Sequence, residues 1–184
     1  MALSNTATLV VGTGNYYTAV VGTLCPLDLL NPPVEWTLVG HTSLEDVMSA
    51  TSEGGDKTVL GTLQNKALRT SYAARTEAFS LKLQQFDANS LKLYYGSNSV
   101  VVPATATEAA TQTVPLTPTP TTVAFLAVFQ DGTSEFAFHA EKAEILRGED
   151  VDLSDTESLA SLPLSITPLA NGSNTHAYQI TPLT

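Results

Sequence analysis

Three histidines, one cysteine and eighteen carboxylates are the side chains through which this chain could do chemistry. His41, His139 and His176 stand far apart, outside any His-Glu-x-x-His arrangement that would put two imidazoles on one helical face, and no Gly-x-Ser-x-Gly elbow presents a nucleophile. Each reads as a surface or strand histidine rather than a catalyst. Cys25 has no second cysteine to pair with and nothing nearby in sequence to lower its pKa, so it reads as a small buried hydrophobe. Gly12-Thr13-Gly14 lacks the third glycine and the following helix of a phosphate loop and reads as a hairpin turn. Glu45-Asp46 offers carboxylates to a cation, but the oxygen ligands around it do not have the spacing of a calcium loop. Trp36 is the only tryptophan, and no ladder of aromatics suggests a sugar platform. The expectation is a chain with no enzymatic activity, metal or cofactor.

Charge is a stronger signal. Eight Lys and Arg against eighteen Asp and Glu give a formal net charge of −10, a balance that repels nucleic acid phosphates over most of the surface. The acids Glu149, Asp150, Asp152, Asp155 and Glu157 cluster within one short segment. Such a run is either a solvated loop or an electronegative surface with a function. The amino terminus has no basic region and the longest apolar run, Val123 to Phe129, is too short to span a bilayer, so a soluble, unexported chain is expected, without a membrane partner.

The elements that must position these groups are mostly strands. At 184 residues the chain reads as a single domain, large enough for a core without disulfides. Threonine is its commonest residue, and Thr with Val, Ile, Phe and Tyr suits pleated surfaces. Strands are predicted over Thr8 to Val11, Tyr16 to Val21, Val34 to Val39, Lys57 to Leu63, Ala67 to Ala74, Thr76 to Gln84, Thr122 to Gln130, Glu135 to Glu144, Leu162 to Pro168 and His176 to Ile180. Phe79, Leu81 and Leu83 alternate with polar residues, the period of a strand with one face on a core. Val123 to Phe129 is apolar on both faces, which predicts a central strand covered on two sides. Asn171-Gly172 predicts a hairpin turn.

After Gln84 the pattern changes to that of a short helix. Phe86 stands where a hydrophobic staple needs it, Asp87 can cap the first free N–H groups, Leu91 closes the staple, and Gly96 ends the helix in a left-handed conformation. Eight residues are too few for a stable isolated helix, so Leu91, Leu93 and one of Tyr94 and Tyr95 are expected to pack on a sheet. Two segments break the strand rhythm: a long polar loop from Gly40 to Lys66, and a Pro/Thr-rich connector from Pro103 to Pro120 that reads as extended and partly polyproline.

The order of strand, Phe86-Asp87, short helix and Leu93-Tyr94-Tyr95-Gly96 resembles the major tail tube proteins of long-tailed, siphovirus-type bacteriophages, especially those infecting actinobacteria. Trp36 to Asp46, preceded by Leu24-Cys25-Pro26, is similar to an upstream segment of that family. Asp131-Gly132 with Phe136 to Ile145, and the acidic segment leading into Leu162 to Leu169, are similar to its later strands. The resemblance implies a two-sheet β-sandwich or barrel with a short flanking α-helix and a long loop. It implies subunits that form six-membered rings, stacked into a hollow conduit for DNA ejection. Edge strands joined between neighbours would remove exposed edges by assembly. The implied partners are further copies of the chain and other tail proteins, such as the tape measure and tail terminator. DNA would pass without specific binding along an acidic lumen, for which the cluster from Glu149 to Glu157 is a candidate. The implied location is the virion tail, assembled in the host cytoplasm. His41, Glu45, Asp46, Glu53, Asp56 and Lys57 of the long loop are candidates for contacts between stacked rings. The alternative is a capsid-decoration or receptor-binding β-sandwich module.

Overall fold

The computed structural model describes residues 8–154 and 156–183. In chain order the elements are β1 (Thr13–Ala19), β2 (Thr37–Leu38), β3 (Ser49–Gly54), β4 (Lys57–Leu60), β5 (Arg69–Tyr72), β6 (Arg75–Leu83), α1 (Ala88–Tyr95), β7 (Val100–Val102), β8 (Thr111–Thr113), β9 (Thr121–Asp131), β10 (Ser134–Arg147), β11 (Leu162–Pro168) and β12 (Gln179–Thr181). The main sheet is antiparallel in the order β2-β1-β9-β10-β11-β6-β3, and β12 pairs with Ala137 to His139 of β10.

This sheet is rolled upon itself. Three positions separate β9 from β6, a distance of about 14 Å across a flat sheet. Yet the rings of Phe125 on β9 and Phe79 on β6 stack with centroids 6.4 Å apart. Tyr16 on β1 donates its hydroxyl to the carbonyl of Val47, just ahead of β3 at the far end of the sheet. The two layers of the sandwich are thus halves of one curled sheet. The bend falls on β10, where the register against β9 shifts between Ala140 and Ala143 and inserts one extra residue. The first half of β10 pairs with β12 on its outer edge and the second half with β11.

Tyr16, Phe79, Phe125, Phe129, Leu81, Leu83, Ile145, Leu162, Leu164 and Ile166 fill the space between the layers. Each aliphatic or Phe side chain removed from water here contributes on the order of 1.5–3 kcal/mol. The opposite face of β9, Ala124, Leu126 and Val128, is covered by Leu29 and Trp36 from the loop between β1 and β2. The two-sided burial expected of Val123 to Phe129 is therefore supplied by the chain's own loop. His139 is enclosed on this side, its Nε2 3.0 Å from the Thr23 carbonyl oxygen and its ring edge-on to Trp36. It is a buried strand histidine.

Several expected boundaries move. Thr8 to Val11 is not a strand, and Gly12-Thr13-Gly14 is no turn, because Thr13 and Gly14 open β1 and pair with Gln130 and Phe129 of β9. The expected strand over Val34 to Val39 contracts to β2, since Pro33 and Trp36 close a turn. Asn171 and Asn174 form a turn, but its flanking strands β11 and β12 both pair with β10 rather than with each other, so no hairpin forms there. The tight turn that does make a hairpin follows Asp131, which pairs with Ser134 across Gly132 and Thr133.

The long polar segment Gly40 to Lys66 is not a loop throughout. Its polar residues build β3 on the sheet edge, with backbone hydrogen bonds replacing the missing apolar burial, and β4 falls within the strand expected over Lys57 to Leu63, paired with β5 in a ribbon. Likewise the connector after Pro103 contains β8, which pairs with β7.

Candidate assembly surfaces

The hairpin that starts as β3 and β6 in the sheet continues as β4 and β5 beyond it. The ladder is carried across the junction by Gly55 N–H donating to the Ala74 carbonyl at 3.2 Å and Ala73 N–H donating to the Asp56 carbonyl at 3.0 Å. At the junction Gly54 and Gly55 have φ of 84° and 76°, a left-handed pair that L side chains adopt only with strain. A Cβ on Gly54 would lie 2.8 Å from the Ala74 carbonyl oxygen. Beyond these glycines the hairpin runs on as an arm of about 20 Å, at ~3.3 Å per residue from Gly55 to Gly61. Thr62 N–H to the Asn65 carbonyl and Leu68 N–H to the Leu60 carbonyl close its tip.

The arm has no core beneath it. Every residue of β4 and β5 is exposed, and so are Leu63 and Leu68 at the tip, Leu63 to 95%. Its charge is as unusual as its apolarity. Lys57, Lys66, Arg69 and Arg75 are four of the chain's eight basic residues, and no acid lies between Lys57 and Arg75. A second exposed ribbon, β7 with β8, presents Val100, Val101 and Val102, with Val114 and Leu116 following. Its root is tied to the end of α1 by Asn98, whose Nδ2 donates to the Thr117 carbonyl and whose Oδ1 accepts from Thr119 N–H.

At the opposite end of β3 and β6 lies a groove of about 500 Å³. Its rim brings together Glu45, Asp46 and Glu149, and its floor includes Met48, Leu81 and Leu164. Ser43 shapes the rim: its N–H donates to the Lys82 carbonyl at 2.9 Å, and its Oγ accepts from Asp46 N–H at 3.1 Å. Lys82 Nζ meets Asp46 Oδ2 at 2.7 Å. That bond, with the charges of Asp46, Glu149 and Glu45, raises the Lys82 pKa and keeps the ammonium charged. One lysine faces three carboxylates.

The six loop residues expected to act together are split between two places. His41 is exposed between β2 and β3, its carbonyl accepting from Gln84 N–H at 2.8 Å. Glu45 and Asp46 join the groove, whereas Glu53 sits on β3 opposite Thr76, and Asp56 and Lys57 lie at the root of the arm. Of the acidic cluster, Glu149 reaches the groove, while Asp150, Asp152 and Glu157 are exposed on the connection from β10 to β11. Asp155 lies outside the described residues.

The helix ends are as expected in their caps and different in the staple. Asp87 Oδ1 accepts from Ser90 N–H at 2.8 Å, and Gly96, with φ 103°, donates its N–H to the Lys92 carbonyl. A Cβ on Gly96 would lie 2.6 Å from the Thr119 carbonyl oxygen. Leu91, Leu93 and the buried Tyr94 pack on the main core. Phe86 does not join them: it lies between the end of β6 and the Asp87 cap and is 43% exposed.

Lys66, Arg69 and Lys82, along with the apolar positions Val59, Leu63 and Val100 to Val102, belong to no sequence motif and are functional candidates only through their placement in the fold. The acid-free run from Lys57 to Arg75 was the available signal for the arm. Cys25 is only partly buried, and desolvation raises its thiol pKa despite an opposing hydrogen bond with Thr181. Among the described residues no three His, Cys, Asp or Glu side chains converge as a metal site, and no helix is long and apolar enough to cross a membrane.

Comparison with known proteins points in one direction. A family model described as "Phage tail tube protein" matches residues 1–182. The chain is 33% identical over 182 residues to the major tail protein Gp23 of Mycobacterium phage D29, with 92% of this chain and 88% of the relative covered. It is 32% identical, with the same coverage, to the major tail protein Gp23 of Mycobacterium phage L5.

Proposed function

The chain belongs to the phage tail tube protein family, a structural component of the virion tail, and we propose that its subunits form six-membered rings stacked through the β4–β5 arm. The observation that carries this reading is the arm itself. A two-stranded ribbon is marginal in water, and one that exposes Val59, Leu60, Leu63, Leu68 and Tyr72 gains its stability by covering them. A neighbouring subunit in the stack supplies that cover. The exposed valines of β7 and the edge strands β2 and β3 are further surfaces for neighbours within or between rings, since open edges invite pairing.

The work of such a tube is conduction without chemistry. A net charge of −10 supports a wall that repels the duplex and gives it no counterion-releasing contacts to stick to. Other tail proteins, the tape measure and tail terminator among them, are the partners expected at the inside and end of the tube. The family assignment over nearly the whole chain displaces the capsid-decoration or receptor-binding alternative.

Electron microscopy of concentrated protein tests the reading. The parent chain should give hollow filaments of uniform width. A variant whose arm is shortened to a tight turn between Lys57 and Tyr72 should remain folded but give isolated rings or subunits. Filaments of normal length from the shortened chain would remove the arm from the assembly.

A further inference from the structure

The arm and the groove are complementary, and we propose that the arm of one copy docks in the groove formed by Glu45, Asp46, Lys82 and Glu149 of a second copy. This deepens the tube reading and rests on it. The arm gathers half of the basic residues of an acidic chain, and beyond Asp56 at its root it carries no acid. The groove has three carboxylates on its rim against the single ammonium of Lys82, which is already bonded to Asp46. An incoming pair of bases would balance the remaining two negative charges. The match extends to apolar surface: Leu63 and Leu68 at the arm tip are exposed, and Met48, Leu81 and Leu164 contribute to the groove.

Geometry decides that the occupant comes from another copy. Ser49 and Ser80 line the groove, whereas Gly54 and Arg75 form the root of the arm at the other end of the same pair of strands. Those ends are five residues apart on β3, about 17 Å at ~3.3 Å per residue, and the arm adds roughly 20 Å beyond. Every residue from Lys57 to Tyr72 is exposed and none of them lines the groove, so the arm does not occupy its own groove. A donor at one end of a hairpin and an acceptor at the other make a head-to-tail contact, which propagates as an open stack instead of closing as a dimer. The acidic segment at Glu149 then serves as a socket between subunits, a different role from that of a lumen lining.

Charge reversal tests the docking in the full chain. One protein carries Lys66→Glu with Arg69→Glu in the arm, and another carries Glu45→Lys with Glu149→Lys in the groove. All four side chains are exposed, so thermal midpoints should stay at the parental value. Sedimentation should show the concentration needed for filaments rising about tenfold or more for each protein alone, most strongly at low salt. Equimolar mixing should restore assembly, because each reversed arm then meets a reversed groove. A groove reversal that assembles like the parent, while the arm reversal does not, would place the arm elsewhere and leave the tube reading standing. Failure of the mixture to assemble would also overturn the docking. A parent protein that forms no filaments would remove the tube reading and the docking together.

Discussion

The Tyr94 hydroxyl donates to the backbone carbonyl oxygen of Glu149 at 2.6 Å, tying the last turn of α1 to the first residue of the acidic segment. The ring of Tyr94 is buried against the sheet, so this bond transfers the rigidity of the core to the rim of the groove. Tyr94→Phe keeps the ring and removes the donor. It should cost about 1 kcal/mol, and hydrogen exchange over Glu149 to Ser154 should quicken. Unchanged exchange would show that the rim is held by other contacts.

The cap of α1 gives a pH-dependent prediction. The hydrogen bond from Ser90 N–H, foremost among several, holds the Asp87 carboxyl below the usual carboxylate range, with desolvation opposing it. A depressed folded pKa contributes stability above the unfolded pKa that is lost as pH falls through the folded value. Asp87→Ala should therefore cost about 1 kcal/mol at neutral pH, with the difference from the parent shrinking in acid. Denaturant midpoints at neutral and acidic pH measure it, and a pH-independent difference would mean that the charge of the cap is immaterial.

Burial separates two phenylalanines that look alike in sequence. Phe79 is 1% exposed and meets Phe125, Phe138 and Tyr178, whereas Phe86 is 43% exposed. Phe79→Ala should cost roughly 3–5 kcal/mol and Phe86→Ala less than about 1 kcal/mol. Equal melting of the two variants would contradict this difference.

Gly96 is constrained by both torsion and space. Gly96→Ala places a methyl group in a left-handed conformation against the Thr119 carbonyl and should cost on the order of 1–3 kcal/mol. Thermal denaturation checks it. A variant as stable as the parent would require the connection to β9 to move freely.

Assembly should be visible in the arm's own backbone. Amides from Val59 to Tyr72 belong to an exposed ribbon and should exchange quickly in the free subunit, then slowly in filaments. Equal protection in both states would exclude the arm from the contacts between copies.

Periodicity explains which of these features could be read from the chain. Leu162 to Pro168 and Arg75 to Leu83 were legible because half-buried strands leave an alternating apolar pattern, and Val123 to Phe129 because burial on both faces leaves a continuous one. Asp87 and Gly96 were legible because caps are local chemistry. The two strands of the arm were legible from composition, since Lys57 to Leu63 and Ala67 to Ala74 contain β4 and β5, whereas β3 was not: its residues from Ser49 to Gly54 are exposed and polar, and resemble a loop until backbone pairing is seen. The groove was hidden for another reason. Asp46, Lys82 and Glu149 are brought together by the pairing of β6 with β3 on one side and β11 on the other, and by the turn after β10, relationships far apart in sequence.

The consecutive left-handed glycines at the root of the arm have a mechanical consequence. Stiff sheet lies on one side of Gly54-Gly55 and a separate two-stranded ribbon on the other, so any rotation of the ribbon would be concentrated in the backbone torsions there and at Ala73-Ala74 opposite. A cylinder whose storeys were linked through these joints could curve by opening on one side and narrowing on the other, while each sandwich kept its shape. The bending stiffness of such a cylinder would then be written in two residues. Replacing either glycine with a bulkier residue would alter its persistence length before it altered its diameter.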